Sequence, residues 1–120
     1  MWWLRNVDRL IAPTPAGDAR LLVSAADDAT ATLVLGPGAG GSVEARDLVA
    51  LTRAAPAASV TLVRVEPSWR VAGRRVAPRL AVLDEEWLAV LATMGRDVPL
   101  VVGGRSAGAR VACRTARAVG

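Results

Sequence analysis

The chain has 120 residues, of which 52% are hydrophobic and 22% charged, and these values allow one domain and exclude both a two-domain protein and a disordered chain. All 15 basic residues are arginine against 11 acids, and the net charge of +4 arises after Asp97, so the charge does not form a broad nucleic-acid-binding surface. The sequence contains no histidine, which excludes any mechanism that these residues complete alone with an imidazole base or ligand.

The N-terminal third predicts a hairpin followed by a buried strand. Residues 6–11 and 19–25 have strand character and flank residues 13–18, whose Pro, Gly and Asp are typical of a tight turn. Residues 31–35 form a continuous apolar run that ends at Gly36. Such a run is typical of a strand that is covered on both faces.

The middle of the chain predicts a helix, a strand and a loop. The helix is expected over residues 42–55, with Ser42 as its N-cap and Pro56 at its end. A β-branched run over 59–66 predicts a strand. Residues 67–78 contain two prolines and Gly73, which indicate a loop.

The C-terminal third predicts two helices around a short buried strand. Residues 83–94 repeat apolar residues at helical spacing, and their acids are expected in the first turn of the helix: Asp84, Glu85 and Glu86. A strand over 99–102 and a helix over 106–119 follow. The whole order predicts a three-layer α/β/α sandwich with a mostly parallel sheet, in which a hairpin precedes βαβαβα.

The last helix also contains the excess charge and the lone cysteine. Its arginines have the spacing of one solvated helix face, and no aromatic side chain accompanies them, so we expect no nucleic-acid partner. Cys113 has no partner for a disulfide within the chain, is expected to be buried, and fits a reducing cytoplasm. Charge returns at Asp8, too early for a signal peptide, and the longest uncharged stretch, 29–43, is too short to span a membrane.

The first of two glycine-rich turns allows two interpretations. Its sequence is Gly36-Pro37-Gly38-Ala39-Gly40-Gly41, between a predicted strand and a predicted helix. It satisfies the dinucleotide-binding pattern G-x-G-x-x-G, and Glu66 ends the next strand as a ribose-binding acid does, although 25 residues separate it from Gly41 rather than about 20. A tight strand-to-helix turn that needs only small residues explains it equally well.

The second turn is Gly104-Arg105-Ser106-Ala107-Gly108, between the predicted last strand and last helix. The pattern G-x-S-x-G in this setting is typical of a nucleophile elbow, in which a strained backbone exposes the serine and small residues on either side let the turn close. Ala107 then offers its backbone N–H to an oxyanion at a helix N-terminus. An α/β hydrolase also explains the first turn, because its second oxyanion donor, here Ala39, comes from the loop after the third strand.

Three stretches, 33–41, 65–78 and 101–110, resemble small dienelactone-hydrolase-like α/β hydrolases, including the testis-expressed-30 group and the third subunit of the non-specific-lethal complex. The resemblance covers the chain from about residue 19 onward. It implies Ser106 as nucleophile, Ala39 and Ala107 as oxyanion donors, and a small carboxylic ester or similar acyl compound as substrate. It implies no cofactor and no metal.

The same resemblance implies a triad acid and histidine after later strands, which these 120 residues do not contain. We therefore expect a single incomplete domain, 1–120, that is the N-terminal part of a hydrolase and has little or no activity alone. The strand at 99–102 then becomes an exposed apolar edge, where we expect self-association.

Other functions stay open from sequence alone. The side chains of the loop 67–78 either contact an acyl substrate or belong to a solvated loop without a binding role. The four side chains concerned are Trp69, Arg70, Arg74 and Arg75. Arg105 either faces substrate or binds a carboxylate such as Glu66. The alternatives to a hydrolase are a nucleotide-binding module, which uses the first turn, and a noncatalytic interaction protein, which the missing histidine makes plausible.

Overall fold

A computed structural model describes residues 7–38 and 43–119. Within them lie five strands and four helices, in the order β1 (Val7–Thr14), β2 (Gly17–Ser24), β3 (Ala31–Gly36), α1 (Arg46–Ala57), β4 (Val60–Glu66), α2 (Ser68–Val71), α3 (Leu80–Ala92), β5 (Leu100–Gly104) and α4 (Ala107–Val119).

The five strands form one sheet in the order β1-β2-β4-β3-β5. β1 and β2 form an antiparallel hairpin, and β2 pairs antiparallel with β4. β3 lies between β4 and β5 and is parallel to both, with Val34 opposite Val63 and Val102. The predicted hairpin followed by parallel strands is confirmed, and the carboxyl ends of β3, β4 and β5 meet at one edge of the sheet.

Helices cover both faces of the sheet. On one face Trp87 of α3 and residues of α4 pack against Val34 and Val63, and on the other face Leu48 of α1 packs with Leu62 of β4. Successive residues of a strand point to opposite faces, so β4 sends Leu62 to one cluster and Val63 to the other. The predicted three-layer arrangement is therefore confirmed, and burial of each large side chain contributes about 1.5–3 kcal/mol to it.

Three boundary predictions in the N-terminal half were wrong. The hairpin strands extend to Thr14 and from Gly17, so the connector is only two residues long, and Gly17 adopts a positive φ of 125° beside it. α1 includes Pro56 rather than ending before it, because the chain continues in helical conformation to Ala57. The predicted start at residue 42 was also wrong: the helix begins at Arg46 with Ala45 as its N-cap, and Ser42 itself lies outside the described residues.

α3 starts at Leu80 rather than at residue 83, so none of its acids lies in the first turn. Asp84 instead forms a bidentate salt bridge with Arg114 of α4, in which Nε of Arg114 donates at 2.8 Å and Nη2 donates at 2.7 Å. This hydrogen bond raises the pKa of Arg114 above its ordinary value. The pair joins the exposed edges of two helices, where an ion pair contributes little to stability.

The arginine side of α4 is exposed at Arg110, Arg114 and Arg117, as its spacing indicated. The expected burial of Cys113 was wrong: its side chain is exposed, on the outer side of the same helix. No helix in the described ranges is long and apolar enough to cross a membrane.

Candidate functional site

Ser106 sits in the two-residue turn between β5 and α4 and has a left-handed backbone, with φ of +50°. This conformation is rare for a residue with a Cβ and costs about 1–2 kcal/mol relative to right-handed backbone. The side chain is exposed at the carboxyl edge of the sheet. A strained, exposed serine between a strand and a helix is the local geometry that G-x-S-x-G predicts.

The two glycines around Ser106 are required by close backbone contacts. A Cβ on Gly104 would lie 2.6 Å from the carbonyl carbon of Gly108 and 2.8 Å from the oxygen of Gly36. A Cβ on Gly108 would lie 2.5 Å from the carbonyl carbon of Gly36 and 2.6 Å from the oxygen of Pro37. Both glycines thus let the start of α4 pack directly on the end of β3, where no side chain fits.

The two glycine-rich turns are brought together by this contact. The backbone N–H of Arg105 donates to the oxygen of Gly36 at 3.0 Å, and a Cβ on Gly38 would lie 3.7 Å from the Cβ of Ser106. The N–H of Gly108 donates to the oxygen of Arg105 at 3.0 Å, which closes the second turn. Residues 39–42, and with them Ala39, Gly40 and Gly41, lie outside the described residues, so the oxyanion donor expected at Ala39 stays a prediction.

Ala107 is the first residue of α4. The first N–H groups of a helix have no acceptor within it, and the aligned peptide dipoles place partial positive charge at that end. A backbone donor at this position, one residue after Ser106, suits a negatively charged oxygen.

An apolar cavity of about 80 Å³ lies beside these turns. Residues of both turns line one side of it, including Gly36, Gly38 and Ala107. Its walls come from the end of β4 and from the helices on that face: Val65, Trp69, Leu83, Glu86, Trp87, Val90 and Val111. The cavity lies at the carboxyl ends of parallel strands, where open α/β sheets bind their ligands.

The loop after β4 contributes one wall of this cavity. Residues 68–71 are helical rather than part of an irregular loop, and Trp69 is only 4% exposed there. Arg70 and Arg74 are exposed and do not line the cavity, and the guanidinium carbon of Arg70 lies 5.8 Å from the centre of the Trp69 ring. Of the predicted substrate contacts in this loop, the structure brings Trp69 to the cavity and leaves the arginines outside it.

Arg105 contacts a different carboxylate from the one suggested by sequence. Its Nε lies 3.0 Å from Asp47 at the start of α1, whereas Glu66 pairs with Arg20 across β2 and β4 at 3.5 Å. Both partners of the Arg105 pair are more than half exposed, so it contributes little to stability. It does connect the Ser106 turn to the helix on the opposite face of the sheet.

Glu86 is a site residue that sequence reasoning missed. It is 3% exposed, and its two carboxylate oxygens accept hydrogen bonds from the backbone N–H of Ser68 at 2.6 Å and from the Ser68 hydroxyl at 2.7 Å. It therefore caps the first N–H of α2 from another helix and holds Trp69 in the cavity wall. The available signal was helical spacing, because Glu86 shares a face of α3 with Leu83 and Val90.

Arg64 is the second missed charge. It is 4% exposed in the central strand β4, and its Nη1 donates to the oxygen of Val43 at 2.9 Å and lies 3.7 Å from Glu44. Burial lowers the pKa of Arg64 below its ordinary value, and the charge of Glu44 partly opposes this. The contact holds Val43 and Glu44 in place just before α1.

The described residues include no group of three or more side chains able to hold a metal ion. The acid proposed for a ribose, Glu66, is engaged by Arg20.

This sheet order, together with a left-handed serine between β5 and α4, defines the class of α/β hydrolases. The chain belongs to the family of the alpha/beta hydrolase domain, whose model matches residues 29–119. No curated protein sequence gives a significant match. The resemblance to an α/β hydrolase inferred from sequence is confirmed at this level, while the narrower groups within it stay a prediction.

Solved structures show the same fold. An α/β serine hydrolase without a lid from Xanthomonas campestris is 21% identical with a TM-score of 0.80, over 95% of this chain and 57% of that one. A serine hydrolase homologue from Coxiella burnetii is 15% identical with a TM-score of 0.72, over 91% and 56%. An esterase from Pyrobaculum calidifontis is 25% identical with a TM-score of 0.72, over 93% and 38%. The chain thus spans little more than half the length of the first two.

Substitution of Gly108 by Ala is expected to lower the free energy of unfolding by about 2–4 kcal/mol, because the added Cβ overlaps backbone that cannot move without separating α4 from β3. Urea unfolding followed by circular dichroism measures the change. Gly95→Ala is the matched control, since a Cβ there has open space, and its effect is expected within about 0.5 kcal/mol. Equal effects of the two substitutions would contradict the packing argument.

Glu86→Ala leaves the buried N–H of Ser68 without its acceptor and leaves the Ser68 hydroxyl only the oxygen of Ala16, at 3.4 Å, so we expect it to lower the free energy of unfolding by about 2 kcal/mol. Its exposed neighbour provides the control: Glu85→Ala is expected to change stability by less than about 0.5 kcal/mol. The capping role is wrong if both variants unfold at the same urea concentration.

Proposed function

We propose that this chain carries the nucleophile and oxyanion site of a serine hydrolase that acts on carboxylic esters or related acyl compounds, with Ser106 as the nucleophile. One observation carries the proposal: the left-handed backbone of Ser106, held between Gly104 and Gly108 beside the loop after β3. Strained backbone of this kind persists where the surrounding packing enforces it and is concentrated at functional sites. Membership of the α/β hydrolase family supports the same reading.

In the proposed reaction the Ser106 oxygen attacks the acyl carbonyl carbon, and its proton passes to a base. The carbonyl oxygen becomes an oxyanion that accepts hydrogen bonds from the backbone N–H of Ala107 and, in our proposal, from that of Ala39. The carbon–oxygen bond to the alcohol then breaks, and the alcohol leaves with the proton from the base. Water attacks the acyl-serine in the same way, which releases the acid and restores the hydroxyl.

The base is the missing component of this scheme. The 120 residues contain no histidine, so we propose that the base and its orienting acid are supplied by residues outside this sequence. Without them a serine hydroxyl is a weak nucleophile, and only the smaller rate from binding and oxyanion stabilisation is expected.

A cytoplasmic location is also part of the proposal, because the single cysteine is free and a reducing compartment suits it.

A second function, association through the sheet edge, is favoured by one observation. Among the described residues β5 pairs with β3 alone, and Val101 on it is 50% exposed. An open apolar strand edge is a surface for pairing with another strand. We propose that the chain self-associates through β5. Analytical ultracentrifugation is expected to show an oligomer that dissociates on dilution. A monomer at all concentrations would contradict this proposal.

Chemical rescue tests the hydrolase proposal on the chain as it exists. Free imidazole replaces the missing base, so hydrolysis of p-nitrophenyl acetate by the chain is expected to rise linearly with imidazole, above the rate of imidazole alone. Ser106→Ala is expected to remove this protein-dependent rate, by at least about tenfold.

The matched control is Ser24→Ala, at a buried serine of β2 whose hydroxyl has no hydrogen-bond partner in the described part of the chain. Its rate is expected to stay within about twofold of the unmodified chain. The same rate in the unmodified chain and in Ser106→Ala would falsify the assignment of the nucleophile.

The strain at Ser106 predicts a gain in stability from the loss of the nucleophile. Glycine adopts a positive φ without strain, whereas alanine keeps the strain. The free energy of unfolding of Ser106→Gly is therefore expected to be about 1 kcal/mol higher than that of Ser106→Ala. Urea unfolding of the two variants measures the difference. If Ser106→Ala is the more stable of the two, the turn is not strained.

A further inference from the structure

We infer that the cavity beside Ser106 binds a short, neutral, apolar acyl chain of about three carbon atoms beyond the carbonyl. This inference rests on the proposed function and names the substrate class of the same site. It follows from the position, the size and the wall chemistry of the cavity.

The position of the cavity relates it to the acyl side of a substrate. Ser106 itself does not line the cavity, but Gly38, which lies against Ser106, and Ala107, which directly follows it, do line it. A carbonyl carbon bound to the Ser106 oxygen, with its oxygen near the Ala107 N–H, therefore lies at the opening of the cavity. The chain attached to that carbon has the cavity as its nearest apolar space.

The size of the cavity limits the length of that chain. A buried apolar cavity of about 150 Å³ accommodates benzene, with its six carbon atoms. The cavity here measures about 80 Å³ and is partly open to solvent, so about three carbon atoms fill it and any further carbon atoms of the chain extend out of it. Val90 and Trp87, both at most 5% exposed, close its inner side and prevent a longer chain from passing into the core.

The wall chemistry selects a neutral chain. Most of the lining is aliphatic or aromatic, and its one acidic side chain is that of Glu86. Both oxygens of Glu86 accept from Ser68, and none of the described ion pairs involves it. A carboxylate at the end of the acyl chain would lie near this fixed negative group in an apolar space, where like charges repel strongly. An acyl group with a second carboxylate is therefore expected to bind more weakly than a neutral one.

The imidazole-rescued rates of three p-nitrophenyl esters test the inference. The butyrate is expected to react about tenfold faster than the acetate, because two more buried methylene groups stabilise binding, whereas the octanoate gains no further rate because its remaining carbon atoms lie outside the cavity. A charged chain is tested by binding, because the free carboxylate of a p-nitrophenyl succinate attacks its own ester: 4-hydroxybutyrate is expected to bind about tenfold more weakly than 1-butanol. Equal rates for the three esters would overturn the inference.

A cavity-filling variant gives a second test that leaves the turns unchanged. Ala77 lines the cavity from the loop between α2 and α3, whereas its neighbour Val76 is exposed and does not. Ala77→Leu is expected to lower the butyrate rate about tenfold and the acetate rate much less, while Val76→Leu leaves both within about twofold. The same butyrate-to-acetate ratio in all three proteins would contradict the inference.

A binding measurement separates failure of the inference from failure of the proposed function. 1-Butanol, the neutral probe, is expected to shift the indole N–H signals of Trp69 and Trp87 in the NMR spectrum, less so in Ala77→Leu. Binding without imidazole rescue supports the cavity and refutes the proposed hydrolase. Rescue without binding and without chain-length preference supports the hydrolase and refutes this inference.

Discussion

The contact between the start of α4 and the end of β3 is the constraint on which the site depends. Gly104 and Gly108 approach the backbone of Gly36 so closely that neither has room for a Cβ. Parallel pairing places Gly104 opposite Gly36, so the two strands end at the same level and their following turns meet. The left-handed backbone at Ser106 is the local cost of turning the chain into α4 at this distance.

Two buried charges hold the loops on either side of this contact. Glu86 of α3 accepts both hydrogen bonds from Ser68 and so fixes the turn that carries Trp69. Arg64 of β4 donates to the oxygen of Val43 and so fixes the chain just before α1. A buried charge is tolerated only where it is paired or hydrogen-bonded, and here each one satisfies the backbone of a loop that has no sheet partner.

The cavity shows how the same packing produces a binding site. Glycines of both turns line one side of it, where they have no side chain to occupy the space, and large residues of α3 and α4 line the other side. Trp87 illustrates how close the two sides come, because its ring edge would lie 3.2 Å from a Cβ on Gly36. Close approach at one end of the helices therefore leaves apolar space beside Ser106 and the N-terminus of α4.

The sequence by itself determined the element order, the class of fold and the two turns. Apolar runs such as 31–35 predict buried strands, and Gly104, Ser106 and Gly108 between a strand and a helix predict the strained turn, because these signals depend on neighbours along the chain. Tertiary structure decided the partners of the charged residues: Arg105 with Asp47 rather than Glu66, and Glu86 inside rather than in an exposed first turn. It also decided that Trp69 is a wall and Cys113 is exposed. Sequence spacing fixes which face of an element a residue occupies, whereas the group that meets that face depends on how distant elements pack.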